Sequence, residues 1–376
     1  MSTRGSLRLA TRGSDLAVRQ AASVRDALAD RRYDVDLVEV ETRGDQIRDE
    51  LIHRLGKTGA FVRALDEGVL DGDVDGAVHS MKDMPTESPP ELQVAAVPER
   101  GPPGDVLLTP DGADLDDLPA GATVGTASMR RQAQLLASRD DLEVVPVRGN
   151  VDTRIEKLLA PGLQREHERR LEAAEDGDGD GETRDDADGD GTDDGDGDEY
   201  DRSPEEWFDN LDELERKALG REVDEEFDAL VLAEAGLQRA GLLHQVPHQR
   251  LPAEEFVPAP GQGALAITAT AGDAADALHD VLDHPRTRVE TTVERTVLAE
   301  LNGGCIAPIG AYAVLQGAHV HVTVRVLSPD GTERVEGSRD LPVETHAEAA
   351  AEFAADLRER GAAELVERAR EEADRD

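Results

Sequence analysis

The feature that most constrains this chain is a strand-and-helix alternation that runs, breaks at a stiff segment and starts again. Leu7-Arg8-Leu9-Ala10 reads as a strand. A helix begun by Ser14 or Asp15 follows, then a strand over 35–42, a helix around 61–70 and a short strand at Asp75-Gly76-Ala77-Val78. Parallel neighbours need such helical crossovers, so the rhythm predicts a mostly parallel sheet with helices on both faces. Arg100-Gly101-Pro102-Pro103-Gly104 cannot continue either element and reads as a crossing between domains. Beyond it the rhythm resumes, with strands near 106–108, 123–125, 144–147 and 229–233 and helices after Ser128 and Asn150. Pro258-Ala259-Pro260 resembles a second crossing, by which the chain returns to the first domain. From Thr287 the pattern changes: Val289, Val293 and Val297 share a helical face, and Val320, Val322, Val324 and Val326 alternate as a half-buried strand ending at Ser328-Pro329-Asp330-Gly331. A charged helix from about Glu344 closes the chain. The expected architecture is therefore two α/β domains, residues 1–99 with 259–284 and residues 104–256, followed by a small α+β domain over 286–376.

One stretch, about 161–226, interrupts the second domain and reads as a solvated, disordered insertion carrying a helix over 204–219. Asp176, Asp178, Asp180 and Gly181 match the start of a calcium loop, but the twelfth position is Ala187 where a bidentate Glu is required. Gly56-Lys57-Thr58 fails as a phosphate loop because Leu51 stands where its first glycine belongs.

Charge sets the partners. The chain carries 83 acids and 41 bases, a net of −42, and its only lysines are Lys57, Lys82, Lys157 and Lys217. Residues 171–201 account for −15, leaving −27 on the other 345, so the excess is spread along the chain. Such a surface repels itself until molar salt cuts the Debye length to about 3 Å, which implies a salt-loving source and argues against nucleic acid. No apolar run reaches the roughly 18 residues of a membrane span, and the N-terminus lacks an apolar signal core, so a soluble cytoplasmic monomer is expected. Cys305 is the single cysteine, which excludes an intrachain disulfide. Nor does any His/Cys cluster suggest a metal.

Arginines recur where strands turn into helices: Arg12 before Ser14, Arg130 and Arg131 after Ser128, Arg148 before Asn150, and Arg154 one turn on. A lone surface arginine has the same appearance, but the recurrence at helix N-termini points to a ligand with many carboxylates. His79-Ser80-Met81-Lys82-Asp83-Met84-Pro85 brings a hydroxyl, a cation and a carboxylate to a strand end, although Asp83 could equally cap a helix. Gly303-Gly304 before Cys305 would leave the thiol accessible, while a lone cysteine is more often a small buried hydrophobe. In the turn Pro260-Gly261-Gln262-Gly263, Gln262 is the expected contact residue.

Taken together, the chain resembles the porphobilinogen deaminase (hydroxymethylbilane synthase) family. The likeness rests on Ala10-Thr11-Arg12-Gly13-Ser14, Thr42-Arg43-Gly44-Asp45, Val78-His79-Ser80-Met81-Lys82-Asp83, Val124 to Arg131, Arg148-Gly149-Asn150-Val151 with Arg154, Ala235 to Arg239, Pro260 to Gly263 and Gly303-Gly304-Cys305, in that order. The resemblance implies two α/β domains of the type 2 periplasmic-binding-protein kind with a cleft between them, and a third domain bearing a cysteine. It implies a transferase of tetrapyrrole biosynthesis, with a dipyrromethane cofactor joined as a thioether to Cys305, four porphobilinogen units added head to tail with loss of ammonia, and hydrolysis to hydroxymethylbilane. By the same carry-over Asp83 is the catalytic carboxylate. Ser80, Lys82, Asp83, Thr126, Ser128, Arg130, Arg131 and Arg239 would hold the cofactor, and Arg12, Ser14, Arg148, Asn150, Arg154 and Gln262 the substrate and growing chain. Loss of ammonia leaves a cationic pyrrolenine that a carboxylate can stabilise, and each added unit brings two carboxylates for the arginines. The sequence departs from the family's pattern at Thr58, at 101–105 and in the acidic insertion. Two other readings compete: a non-catalytic anion-binding protein of the same fold, and a cysteine hydrolase with His79 as base.

Overall fold

The computed structural model describes residues 3–40, 59–177, 203–304 and 307–373. In the first sheet, β1 (Gly5–Arg12) pairs in parallel along its whole length with β2 (Tyr33–Val40) and also with β3 (Gly76–Ser80). β4 (Leu92–Ala96) forms one edge. The second sheet holds β5 (Asp105–Leu108), β6 (Thr123–Gly125), β7 (Glu143–Val145), β8 (Ala229–Ala233) and β9 (His248–Leu251), in the order β7-β6-β8-β5-β9. The chain then returns, and β10 (Leu265–Thr270) inserts between β3 and β4, giving the order β2-β1-β3-β10-β4. The two sheets thus repeat one spatial arrangement of strands.

Four of the five strands in each sheet run the same way, as the sequence expectation of a mostly parallel sheet requires, and one runs against them. β10 runs antiparallel to β3 and β4, and β5 runs antiparallel to β8 and β9. Each of these strands is the first after a crossing, so no helical crossover precedes it and the chain enters against the local direction.

Around the first sheet lie α1 (Asp15–Asp30) and α2 (Gly59–Leu70). Ala21, Val24 and Leu28 of α1 are buried against Leu7 and Leu9, the three- and four-residue spacing of a helix meeting the alternate spacing of a strand. The second sheet carries α3 (Met129–Ser138), α4 (Val151–Gly177), α5 (Pro204–Asn210), α6 (Glu213–Leu219) and α7 (Glu234–Ala240). The expectation of a disordered insertion beginning at Pro161 is corrected here, because α4 continues through that proline to Gly177. Leu158 is buried with Leu214 of α6, and Trp207 of α5 stacks on His167 and lies under Arg170, so apolar and aromatic contacts hold these segments on α4. The single helix expected over 204–219 is two, split where Asp212 caps α6 by accepting from Glu215 N at 2.8 Å. The acidic stretch 178–202, with most of the calcium-loop positions, lies outside the described residues, as do Thr58 and Cys305.

After α8 (Asp273–Leu282) on the first sheet, α9 (Pro285–Glu300) leads into an antiparallel sheet of β11 (Ile309–Gln316), β12 (His319–Leu327) and β13 (Arg334–Pro342). Val320, Val322, Val324 and Val326 are fully buried under α9 and α10 (His346–Leu357), each contributing on the order of 1.5–3 kcal/mol. The closing helix breaks at Gly361, whose φ of 103° starts α11 (Ala363–Ala373) on a new axis. This third unit touches the second sheet's helices. A Cβ at Gly331, in the β12–β13 turn, would stand 2.6 Å from Ala133 O and from Ala137 N of α3.

Candidate active site

The two crossings lie against each other. Gly101 N donates to Gly263 O at 3.1 Å, and a Cβ on Gly263 would stand 2.6 Å from Gly101 O. Asp105 follows the first crossing and is fully buried. Arg130 Nη2 donates to its Oδ2 at 2.7 Å and Arg131 Nε to its Oδ1 at 3.0 Å. Those arginines belong to the first turn of α3, so the start of one helix is fastened to the strand that begins the sheet. Asp105 was not singled out from the sequence, yet it organises the pair. Its carboxyl is held below the usual range because the two guanidinium charges outweigh its burial.

Gln262 was expected to touch substrate. Instead it is 1% exposed, donating to Pro103 O at 2.6 Å and Asp105 Oδ1 at 3.0 Å while its Oε1 lies 3.4 Å from both arginines. A side chain so fully engaged inside the protein is a strut between the crossings. Arg239, expected with the cofactor, donates from Nη2 to Gly263 O at 2.6 Å. It lines a cavity of about 420 Å³ with Arg100 and Ser23 of α1.

Opposite α3 stands the turn Met81–Asp83, at the carboxyl end of β3 where Ser80 is half-buried. Met81 and Met84 are buried beneath it and Asp83 is exposed. Lys82 is half-buried among charges. Loss of water lowers its pKa first, and Arg131 and Arg130 lower it further, against the opposing pull of Asp83 and Asp105. Arg154 is pushed down to about 10 by loss of water and by Arg131. Burial also lowers Arg130 and Arg239. Among the described residues, Lys82, Arg130, Arg131 and Arg154 thus gather around Asp83 and Asp105, four cations against two carboxylates in a chain of net −42. Arg130 Nε is buried with no hydrogen-bond partner among the described residues. An under-compensated cation cluster of this kind fits an acidic ligand such as a dipyrromethane with its carboxylates.

The remaining expected residues stand at or just before helix starts. Thr126 is buried with its Oγ1 3.3 Å from Ser128 N, which shapes the entry to α3. Ser14 caps α1, accepting from Ala17 N at 3.4 Å, with Arg12 two residues before it. Arg154 Nε donates at 2.8 Å to the carbonyl of Gly149, whose φ is 113°. Arg148 and Asn150, on either side of that glycine, are exposed. The first turns of α1 and α4 meet over α7, since a Cβ on Gly236 would lie 3.9 Å from both Leu16 and Val151. His79 is not available as a base. Its Nε2 lies 3.0 Å from both Asp66 Oδ1 and Thr268 Oγ1 inside the first domain, which removes the hydrolase reading.

The family model described as "Porphobilinogen deaminase, dipyromethane cofactor binding domain" matches residues 7–166 and 214–277. The one for the porphobilinogen deaminase C-terminal domain matches 289–359. A probable porphobilinogen deaminase of Halobacterium salinarum is 56% identical over 393 residues, covering 98% of this chain and 99% of that protein. Another from Methanococcoides burtonii is 39% identical, and the porphobilinogen deaminase of Desulforudis audaxviator 37%, each covering 96% of both chains. With the cation cluster, the engaged crossings and these matches in place, the chain belongs to the porphobilinogen deaminase family, as an enzyme with a dipyrromethane-cofactor-binding domain.

Proposed function

We propose that the cleft around Asp83 is where this enzyme condenses porphobilinogen, with Cys305 as the tether of the dipyrromethane. When bound, that group supplies the free pyrrole carbon to which each new ring is joined. The observation that carries the reading is the excess of cations over carboxylates around Asp83. Lys82, Arg130 and Arg131 bind acidic side chains of the primer, and Ser80, Thr126 and Ser128 orient them. Arg154, with Arg12, Arg148, Ser14 and Asn150 on the adjoining helix starts, receives the carboxylates of incoming substrate and of the growing chain. Asp83, exposed beside Lys82, accepts from pyrrole N–H groups and stabilises the positive charge left on the substrate as ammonia departs. Arg239 borders the same crossing and Gln262 holds it rigid. One chain supplies the whole set, which supports a monomer. An acidic small substrate and a thiol that must stay reduced support a cytoplasmic site of action.

Intact mass tests the tether. The wild-type protein is expected to carry an addition of two pyrrole units, and Cys305→Ala to lack it while still folding. Active wild-type protein with an unmodified thiol would overturn the reading.

A further inference from the structure

α9 belongs to the third domain, yet one of its side chains reaches the turn that bears Asp83. Arg295 Nη2 donates to Pro85 O at 2.6 Å, and Nη1 lies 3.2 Å from Met81 O and 3.4 Å from Met84 O. These carbonyls flank Lys82 and Asp83 on both sides. Two backbone hydrogen bonds between described residues also hold the turn. A single short helical turn closes through Met84 N to Met81 O at 3.1 Å, and Met81 N donates to Ala264 O at 3.0 Å. Below, Met81 and Met84 are buried with Val97, Ala264 and Ala266, unbranched side chains in a small cluster that fix depth better than direction. A planar guanidinium spanning three carbonyls supplies the missing direction, which a point charge cannot.

We infer that Arg295 is a positioning residue for Asp83, holding the 81–85 turn from the third domain so that the carboxylate stands where the reacting pyrroles pass. The inference rests on the assignment of Asp83 above. Arg288 provides an internal control, because from the same helix it also caps carbonyls, those of Val94 and Ala95 on β4, at 3.3 and 3.1 Å.

Arg295→Lys and Arg288→Lys are compared in the cofactor-loaded enzyme by steady-state kinetics, intact mass and melting. Arg295→Lys is expected to keep its mass addition and, within about twofold, its KM, while kcat falls ~10–100-fold, as when a reacting group is misplaced by about 1 Å. Arg288→Lys should retain kcat. Arg295→Gln, expected to behave like the lysine variant, carries the test if that variant does not fold. A wild-type kcat in folded Arg295 variants, a change confined to KM, or an equal loss in Arg288→Lys overturns the positioning role. Asp83→Asn is measured alongside: if it still turns over, the assignment of Asp83 fails whatever Arg295 does. If it is inactive while Arg295→Lys is normal, only the positioning role fails.

Discussion

Two buried carboxylates hold arginines at the domain junctions, and they do so in opposite states of balance. Glu294 on α9 takes Arg100 in a two-pronged pair at 2.8 and 3.0 Å. It also accepts from Gly261 N at 2.7 Å and Ala313 N at 2.9 Å, so one negative charge meets one positive charge and two amides. Asp105 also lies out of water, but two arginines converge on it with Lys82 and Arg154 close by. The first site is complete as it stands and ties three parts of the chain together. The second leaves positive charge over, and that surplus separates a binding surface from a structural joint.

The contrast can be broken most severely at Arg131. Arg131→Leu leaves Asp105 paired with Arg130, so the protein should fold, whereas turnover should fall about 10²–10³-fold with loss of one preorganised donor, and the mass addition should be absent or partial. Near-normal turnover and full mass would remove Arg131 from the site. Next comes Glu294→Gln, which strands Arg100 in a dry place. Stability should drop by about 3–5 kcal/mol, read by denaturant titration, with kcat in the surviving folded protein changed far less. A stable variant with lost turnover would reverse the distinction between joint and site.

A smaller effect concerns pH. The Lys82 pKa is lowered in the free site, and an anionic ligand would raise it again, so binding takes up a proton and weakens as pH climbs past the free-site value. KM should rise on the alkaline side as Lys82, held below its ordinary value, and Arg154, near 10, lose their protons. Lys82→Arg should remove the Lys82 part of the rise, and a flat profile in the wild type would contradict it. Smallest is the response to salt. Raising potassium chloride toward molar levels should improve kcat/KM by screening the long-range repulsion between a −42 chain and an anionic substrate, while the coupling of Arg100 to Glu294 in a double-mutant cycle stays constant. A steady fall in kcat/KM would show that local attraction dominates.

Much of the frame was legible because local pattern decides it. Val320 to Val326 alternate and are buried alternately, and the valines of α9 face the core as their spacing requires. The turns bearing Arg130, Arg131 and Lys82 could be placed at strand ends for the same reason. Strand direction after a crossing could not, since it depends on which domain the chain has just left. Asp105 and Glu294 escaped notice because an acid among 83 attracts none, and their partners lie far away, Arg100 being 194 positions from Glu294. Faint signals exist in hindsight. Asp105 opens the wholly apolar run Val106-Leu107-Leu108, and Glu294 shares the face of α9 that buries Glu290, Thr291 and Val297. Gln262 misled for a related reason: a polar residue between glycines resembles a ligand contact, and only the second crossing reveals it as a brace.

The glycine at the tip of the β12–β13 turn has a reach its surface position conceals. Because Gly331 presses directly on the backbone of α3, any side chain there must lift that helix, two and six residues beyond Arg131. The third domain is thus a set screw for the arginine pair, and a change of one methyl group at a hairpin tip would be felt as a change of aim in a cleft it never touches.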